Sequence, residues 1–224
     1  MNAPLILSTK KLTLSQKELL LNAGMRLIDY NAIEVALLKF TIPQAMDHAI
    51  FTSQNGVRAY LENNYGHSTI THCYCVGSKT KALLEENGQK VVKMEENSEK
   101  LAHFILEHVE KGRFYYFCGS HRRDELPELL KSSKIELFEV KSYQITPKPR
   151  HFGQKMDGIL FFSPSGVQSY LLENEASSTT VFCIGETTAT EARNHFSEVV
   201  VANSHSVESV IAKSAKTLRK QISE

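Results

Sequence analysis

Residues 51–57 read FTSQNGV and residues 161–167 read FFSPSGV, so that Ser53 and Ser163 stand 110 positions apart in a chain of 224. An apolar, strand-like run that stops at small polar residues, and recurs at half the chain length, means that the chain holds one unit twice. The repeat has four parts. PLILSTK (4–10) is a short apolar strand; the helix after it has Ser15 and Glu18 at capping-box spacing and Gly24 as a stop, and RLIDYNAIEV reads as a second strand. RFYYFCGS (113–120), a helical ELPELLKSS and ELFEVKSYQI (136–145) give the same elements in the same order. The second part is HAIFTSQNGV against GILFFSPSGV, each running into a helix. The third is YCVGSKTKALLEENG (74–88) against FCIGETTATEARNHF (182–196), where Gly77 and Gly185, like Thr80 and Thr188, stand 108 apart. The fourth is KVVKM (90–94) against EVVVA (198–202). Ser-capped helices follow in both halves, at 98–112 and 206–220, the latter with Val207, Val210, Ile211, Ala215 and Leu218 on one apolar face.

Strands alternating with helices predict an α/β fold of two related domains, each a parallel sheet covered by helices on both faces. Ligands of such sheets bind at the carboxyl ends of the strands, where loops and helix N-termini expose N–H groups. The repeated SQNG/SPSG and GSKT/GETT segments fall at that edge. They offer Thr52, Ser53, Gln54, Asn55, Gly77, Ser78 and Thr80 from one half, and Ser163, Pro164, Ser165, Gly166, Gly185, Thr187 and Thr188 from the other. Ser and Thr cap helices whatever a protein does. Their presence at both loops of both halves points to binding, and two half-sites facing each other would form a cleft for an anion such as a carboxylate or phosphate.

Composition narrows the function classes. Lysine and arginine number 26 against 25 acidic residues, without a basic cluster, which excludes a duplex nucleic-acid binder of the usual kind. The apolar stretches ILFF, VFCIG and VVVA are strand-sized, so no membrane span is expected. MNAPLILSTKK has no basic region before its short apolar run and does not read as a signal peptide, which predicts a cytoplasmic protein. Cys73, Cys75, Cys118 and Cys183 lie in strand-like runs and read as small core residues, not disulfides. His72, Cys73 and Cys75 alternate faces of a strand with no second cysteine pair, so no metal is expected. SHRRDE (120–125) reads as a solvated turn, and Tyr143 sits where the repeated unit gives way to a Pro-containing connector.

The series FTSQNGV, VGSKTKALLEENG, a strand ending in Ser120, VKSYQITP, FFSPSGV, CIGETTATEA and a late VVVA strand resembles uroporphyrinogen-III synthase over nearly the whole chain. That resemblance implies flavodoxin-like domains joined by a two-strand hinge: 1–34 with 146–224 as one, 37–142 as the other, and 35–36 with 143–145 as the hinge. It implies closure of hydroxymethylbilane to uroporphyrinogen III, with inversion of the last pyrrole ring and loss of water, without metal or organic cofactor; a monomer is the default expectation. Hand-over of the bilane from the enzyme that makes it is a further implied partnership. The family's functional tyrosine falls on Tyr143, its motif threonines on Thr80, Thr187 and Thr188, and its strand-end serines on Ser53, Ser163 and Ser165. The chain departs from the family at Thr9-Lys10-Lys11 and Cys118-Gly119, where many members carry arginine; Lys10, Lys11, Arg122 and Arg123 are the candidate replacements. The alternative is a cytosolic two-lobed anion-binding or sensor protein without turnover.

Overall fold

The computed structural model of the chain describes residues 3–64, 67–109, 111–120, 125–131, 133 and 135–223. In chain order the elements are β1 (Leu5–Ser8), α1 (Leu14–Asn22), β2 (Arg26–Asp29), β3 (Ile33–Leu37), β4 (Ala45–Phe51), α2 (Gln54–Asn64), β5 (Thr69–Val76), α3 (Ser78–Glu86) and β6 (Val91–Glu95). They continue as α4 (Ser98–His108), β7 (Gly112–Gly119), α5 (Glu125–Lys131), β8 (Ile135–Pro147), β9 (Gly158–Phe161), α6 (Pro164–Leu171), β10 (Thr180–Cys183), α7 (Glu186–Arg193), β11 (Val199–Val201) and α8 (Val207–Ser223).

These elements form two compact units, Met1–Glu34 with Thr146–Glu224, and Val35–Ile145. The chain passes from one to the other within β3 and again within β8. The first unit's sheet runs β11-β10-β9-β1-β2, all pairs parallel. Numbered along that unit's own chain, the order is 2-1-3-4-5, the flavodoxin-like winding. The second unit's sheet runs β3-β8-β7-β4-β5-β6. There β7 and β8 take the places of β1 and β2, and β4, β5 and β6 those of β9, β10 and β11, again in parallel pairs. The second sheet is therefore the first with its chain order rotated, plus β3 at the edge beside β8.

The buried strands explain why the units close. LILS, GILF and TVFC are buried at every position, so both sheet faces need helical cover. Alternation divides the side chains: Leu5, Leu7, Ile159 and Phe161 pack with Val167, Tyr170 and Ala189, whereas Ile6, Leu160 and Phe182 pack with Leu20, Val210 and Ile211. In the second unit Tyr74, Phe114 and Tyr116 face Leu101, Ile105 and Leu130, and Phe51, Cys75 and Phe117 face Val57, Tyr60 and Leu84. All four cysteines are buried, and none forms a disulfide among the described residues. Burial pushes the Cys75 and Cys183 thiols up to about 12 and raises Cys73 as well, which keeps them protonated core groups.

Three local expectations are corrected. The capping box of α1 is Thr13 with Gln16, not Ser15 with Glu18, because Thr13 is the last extended residue and Ser15 already lies inside the helix. Asn97, not Ser98, caps α4 for the same reason, its side chain accepting from the Lys100 N–H. RLIDYNAIEV is two strands, not one: β2 ends at Asp29, the Ala32 N–H turns back to the Thr9 carbonyl, and β3 joins the other sheet. The apolar face of α8 is as read, with Val210, Ile211 and Leu218 in the core and Ser206 capping the helix through the Ser209 N–H.

Tyr30 carries a strain of its own. Its ring is buried beside Phe152, at 5.1 Å between centroids, and Tyr170, while its hydroxyl has no hydrogen-bond partner among the described residues. An orphaned buried hydroxyl costs about 1–3 kcal/mol. Burial, with Tyr170 next to it, raises the Tyr30 phenol from its ordinary value to about 12. The fold thus favours the neutral phenol: that preference is intact below pH ~10 and is lost as pH rises towards ~12. Tyr30→Phe is expected to stabilise the protein by ~1 kcal/mol in chemical denaturation and to flatten the loss of stability between pH ~10 and ~12. Destabilisation by that substitution would show that the hydroxyl has a partner.

Candidate functional site

In each unit the candidate residues collect at the carboxyl edge of the sheet. After β9, Ser163 caps α6: its Oγ accepts from the Gly166 N–H at 3.1 Å, its carbonyl accepts from the Val167 N–H at 3.3 Å, and Pro164 occupies the first helical turn, where no N–H is missed. The Ser163 and Ser165 hydroxyls lie 3.1 Å apart. After β10, α7 starts at Gly185, which has no side chain to cap it. The Thr188 N–H bonds the Gly185 carbonyl at 3.1 Å, and the earlier N–H groups of the turn are left to other acceptors, with Thr187 exposed and Thr188 buried. An added Cβ at Gly185 would collide with the His205 imidazole, so glycine there is what lets His205 lie against the backbone.

The second unit repeats this. Residues 51–60 and 161–170 carry the same position-by-position burial, down to the buried Gly56 and Gly166 and the buried Tyr60 and Tyr170. Ser53 Oγ accepts from the Gly56 N–H at 3.3 Å and its carbonyl from the Val57 N–H at 3.4 Å. Thr52 Oγ1 lies 3.1 Å from the Tyr116 hydroxyl, and Gln54 and Asn55 hold the two ends of the Arg58 guanidinium at 3.2 and 3.3 Å. After β5, Gly77 takes φ +83°, a left-handed conformation that favours glycine, and starts α3 without a side-chain cap. Ser78 is exposed, and Thr80 is buried with its N–H on the Gly77 carbonyl.

Tyr143 joins this second group. Between β7 and β8 the register shifts, with Cys118 opposite Lys141 but Gly119 opposite Tyr143. The extra residue, Ser142, turns inward and bonds the Cys118 carbonyl at 3.1 Å. This bulge re-aims Tyr143 towards the end of β4. There its hydroxyl oxygen accepts the Ser53 hydroxyl hydrogen at 3.0 Å. The Ser120 N–H fixes the Tyr143 carbonyl at 2.8 Å. Burial raises the Tyr143 phenol above its ordinary value, against the pull of the Ser53 donor, so it is protonated at neutral pH.

The structure therefore brings Thr52, Ser53, Gln54, Asn55, Gly77, Ser78, Thr80 and Tyr143 to one edge of the second unit. It places Ser163, Pro164, Ser165, Gly166, Gly185, Thr187 and Thr188 at the matching edge of the first. Lys10 and Lys11 are exposed just after β1 at that edge; Arg122 and Arg123 lie outside the described residues. Sequence reasoning missed four neighbours. Thr9 bonds the Leu160 carbonyl at 2.8 Å beside Gly166, and His205 covers Gly185. Tyr116 meets Thr52, and Arg58 is held by the two amides. Arg58 alone had a signal, its spacing from Gln54 by one helical turn. No group of three or more metal-ligating side chains occurs among the described residues, and no helix there is long and apolar enough to cross a membrane.

A family model described as uroporphyrinogen-III synthase HemD matches residues 15–212. Among solved structures, the uroporphyrinogen-III synthetase of Helicobacter pylori aligns at a TM-score of 0.69 and 18% identity, over 96% of this chain and 99% of that one. A mutant uroporphyrinogen III synthase from the extremely thermophilic bacterium Thermus thermophilus aligns at 0.70 and 14% identity, over 97% and 100%. At such identities the structural likeness shows the fold, two mostly parallel sheets flanked by helices.

The two capped glycines are not equivalent. A Cβ on Gly56 would stand 2.8 Å from the Phe117 carbonyl oxygen, whereas one on Gly166 meets only Ser163 Oγ at 3.3 Å and Thr9 Oγ1 at 3.6 Å. Gly56→Ala is expected to destabilise by about 1–3 kcal/mol through overpacking of α2 on β7. Gly166→Ala should cost less than half of that in the same denaturation experiment; equal costs would contradict the geometry.

Proposed function

The chain belongs to the uroporphyrinogen-III synthase family, and we propose that Tyr143 and the strand-end loops of its two units carry out that family's ring closure. The reaction converts hydroxymethylbilane to uroporphyrinogen III, inverting the last pyrrole ring and losing water. What supports the reading is the family match across residues 15–212, which takes in both repeats of the strand-end motif. We class the reaction as that of a cyclising hydro-lyase.

The free bilane closes spontaneously without inversion, so the catalyst's task is largely orientation. The substrate is a polycarboxylate. The uncapped starts of α3 and α7 present N–H donors suited to carboxylates, and the hydroxyls of Ser78, Thr80, Thr187 and Thr188 stand beside them. Lys10, Lys11 and Arg58 supply cationic charge near the same edges, in place of the arginines that other members carry. The β3 and β8 segments serve as the hinge strands between the units. Because the bilane is short-lived in water, hand-over from the enzyme that makes it fits this chemistry.

Ring closure begins when the hydroxymethyl group loses its hydroxyl. The electron-rich pyrrole stabilises the cation, and protonation of the departing oxygen makes it leave as water. Tyr143 is protonated at neutral pH and able to give that proton. Attack on the cation through a spiro intermediate, followed by reclosure, turns the last ring; the product regains aromaticity by shedding a proton. The steps balance as water out and one proton returned, with no electron transfer.

Generating hydroxymethylbilane in situ, adding the protein and separating the oxidised uroporphyrin isomers tests the reading. Predominant isomer III is expected; isomer I at the spontaneous rate would overturn it. Tyr143→Phe should lower kcat by about 10–100-fold while the product stays isomer III, because a weak acid contributes to leaving-group departure and not to ring selection. An unchanged kcat would remove Tyr143 from the mechanism. The Thr187→Ala, Thr188→Ala double variant keeps the α7 N–H groups but loses both hydroxyls; KM should rise by about 3–10-fold, since each lost hydrogen bond is worth about 0.5–1.5 kcal/mol. Wild-type KM would place the substrate elsewhere.

A further inference from the structure

We propose that Ser53 is a positioning residue for this reaction, giving its hydroxyl hydrogen to Tyr143 so that the hydrogen of Tyr143 is left for the departing hydroxyl of the substrate. This rests on the synthase reading above and assigns Ser53 a role through Tyr143.

A serine hydroxyl has one hydrogen and can also accept. Ser53 accepts from the Gly56 N–H at 3.3 Å and donates to the Tyr143 oxygen at 3.0 Å. With the Ser53 hydroxyl aimed at it, the phenol oxygen is an acceptor, and its own O–H must find an acceptor elsewhere. The chain of donors therefore has a direction: from the first turn of α2, through Ser53, to Tyr143 and outward. The duplicated unit serves as an internal control. Ser163 makes the same cap, Gly166 N–H to Oγ at 3.1 Å, but its hydroxyl meets Ser165 at 3.1 Å. Capping alone does not require a tyrosine. The tyrosine is added on one side only, by the bulge that buries Ser142 and brings Tyr143 opposite Gly119.

The donors also serve the next moment of the reaction. The phenol proton passes to the leaving hydroxyl, the carbon–oxygen bond breaks with its electron pair on oxygen, and water departs. The charge left on the tyrosine oxygen then faces the Ser53 O–H, and a hydrogen bond to a charged group is about twice as strong as a neutral one. The proton shed when the macrocycle regains aromaticity restores the phenol.

Three substitutions separate this role from helix capping. Ser53→Thr keeps both cap and donor. Ser53→Asp keeps a strong cap but has no hydrogen to give at neutral pH, and Ser53→Ala loses both. The expected result is a kcat lowered by about tenfold or more in the Ala and Asp variants, KM within about twofold, and recovery to within about threefold in the Thr variant. Thermal melts identify any variant that fails to fold, and Asp, as a good cap, is expected to remain folded. A second readout needs no substrate. The Tyr143 ionisation, taken as the difference in tyrosinate absorbance between each protein and its Tyr143→Phe counterpart, should move to higher pH in Ser53→Ala. Wild-type kcat in Ser53→Asp would reduce Ser53 to a helix cap. A raised KM at unchanged kcat would make it a direct substrate contact, and an unmoved Tyr143 ionisation would overturn the hydrogen bond. Failure of the unsubstituted protein to form isomer III would overturn the synthase reading instead, leaving the ionisation experiment to judge the Ser53–Tyr143 bond on its own.

Discussion

A parallel strand buried on both faces cannot be followed at once by its neighbour; the chain must cross over, and in these units it does so mostly through helices. Everything that bears on function follows from that constraint. Because LILS, GILF and TVFC are buried throughout, each crossover starts at the carboxyl edge, where a helix begins with N–H groups that have no partner within the helix. The candidate site residues are placed where the fold leaves donors over.

Those helix starts fall into two kinds, and the duplication has kept the difference. The helices after β4 and β9 are closed by serine, whose oxygen takes up an N–H of the first turn. The helices after β5 and β10 begin at glycine with no cap. The first kind has its donors occupied and offers a hydroxyl; the second offers the backbone. The two units diverge at their second strands. Beside β1 the pairing is regular, Ser8 opposite Asp29, and Asp29 binds the Leu12 N–H and Lys17 at the start of α1. Beside β7 the bulge breaks that regularity and delivers Tyr143. One copy of the edge secures a helix, and the other presents a phenol.

Much of this was legible in the sequence, for physical reasons. Fully buried parallel strands are short apolar runs, and loops at one edge repeat their small residues at a fixed offset, so FTSQNG with FFSPSG, and VGSKT with IGETT, marked both the fold class and the edge. Helix caps were less legible: Thr13 and Asn97 stand one or two residues before the serines that the spacing favoured, and only backbone dihedrals decide between neighbours of similar capping ability. The break in RLIDYNAIEV was invisible because both its halves have strand composition, and the sheet each joins is a tertiary matter. Ser53 and Tyr143 were both singled out, but not as partners; a bulge of one residue at Ser142 has no signature in composition. His205 and Thr9 belong to the edge through contacts with Gly185 and the Leu160 carbonyl that no spacing rule anticipates.

Under the proposed function, carboxylates of the tetrapyrrole meet the N–H groups at the starts of α3 and α7. Backbone amide chemical shifts, followed while the product uroporphyrinogen III is titrated into labelled protein, test it most directly. The largest shifts are expected at Ser78 and Lys79 in one unit and at Glu186 and Thr187 in the other. Shifts confined to a single unit, or lying away from the carboxyl edges of the sheets, would contradict it.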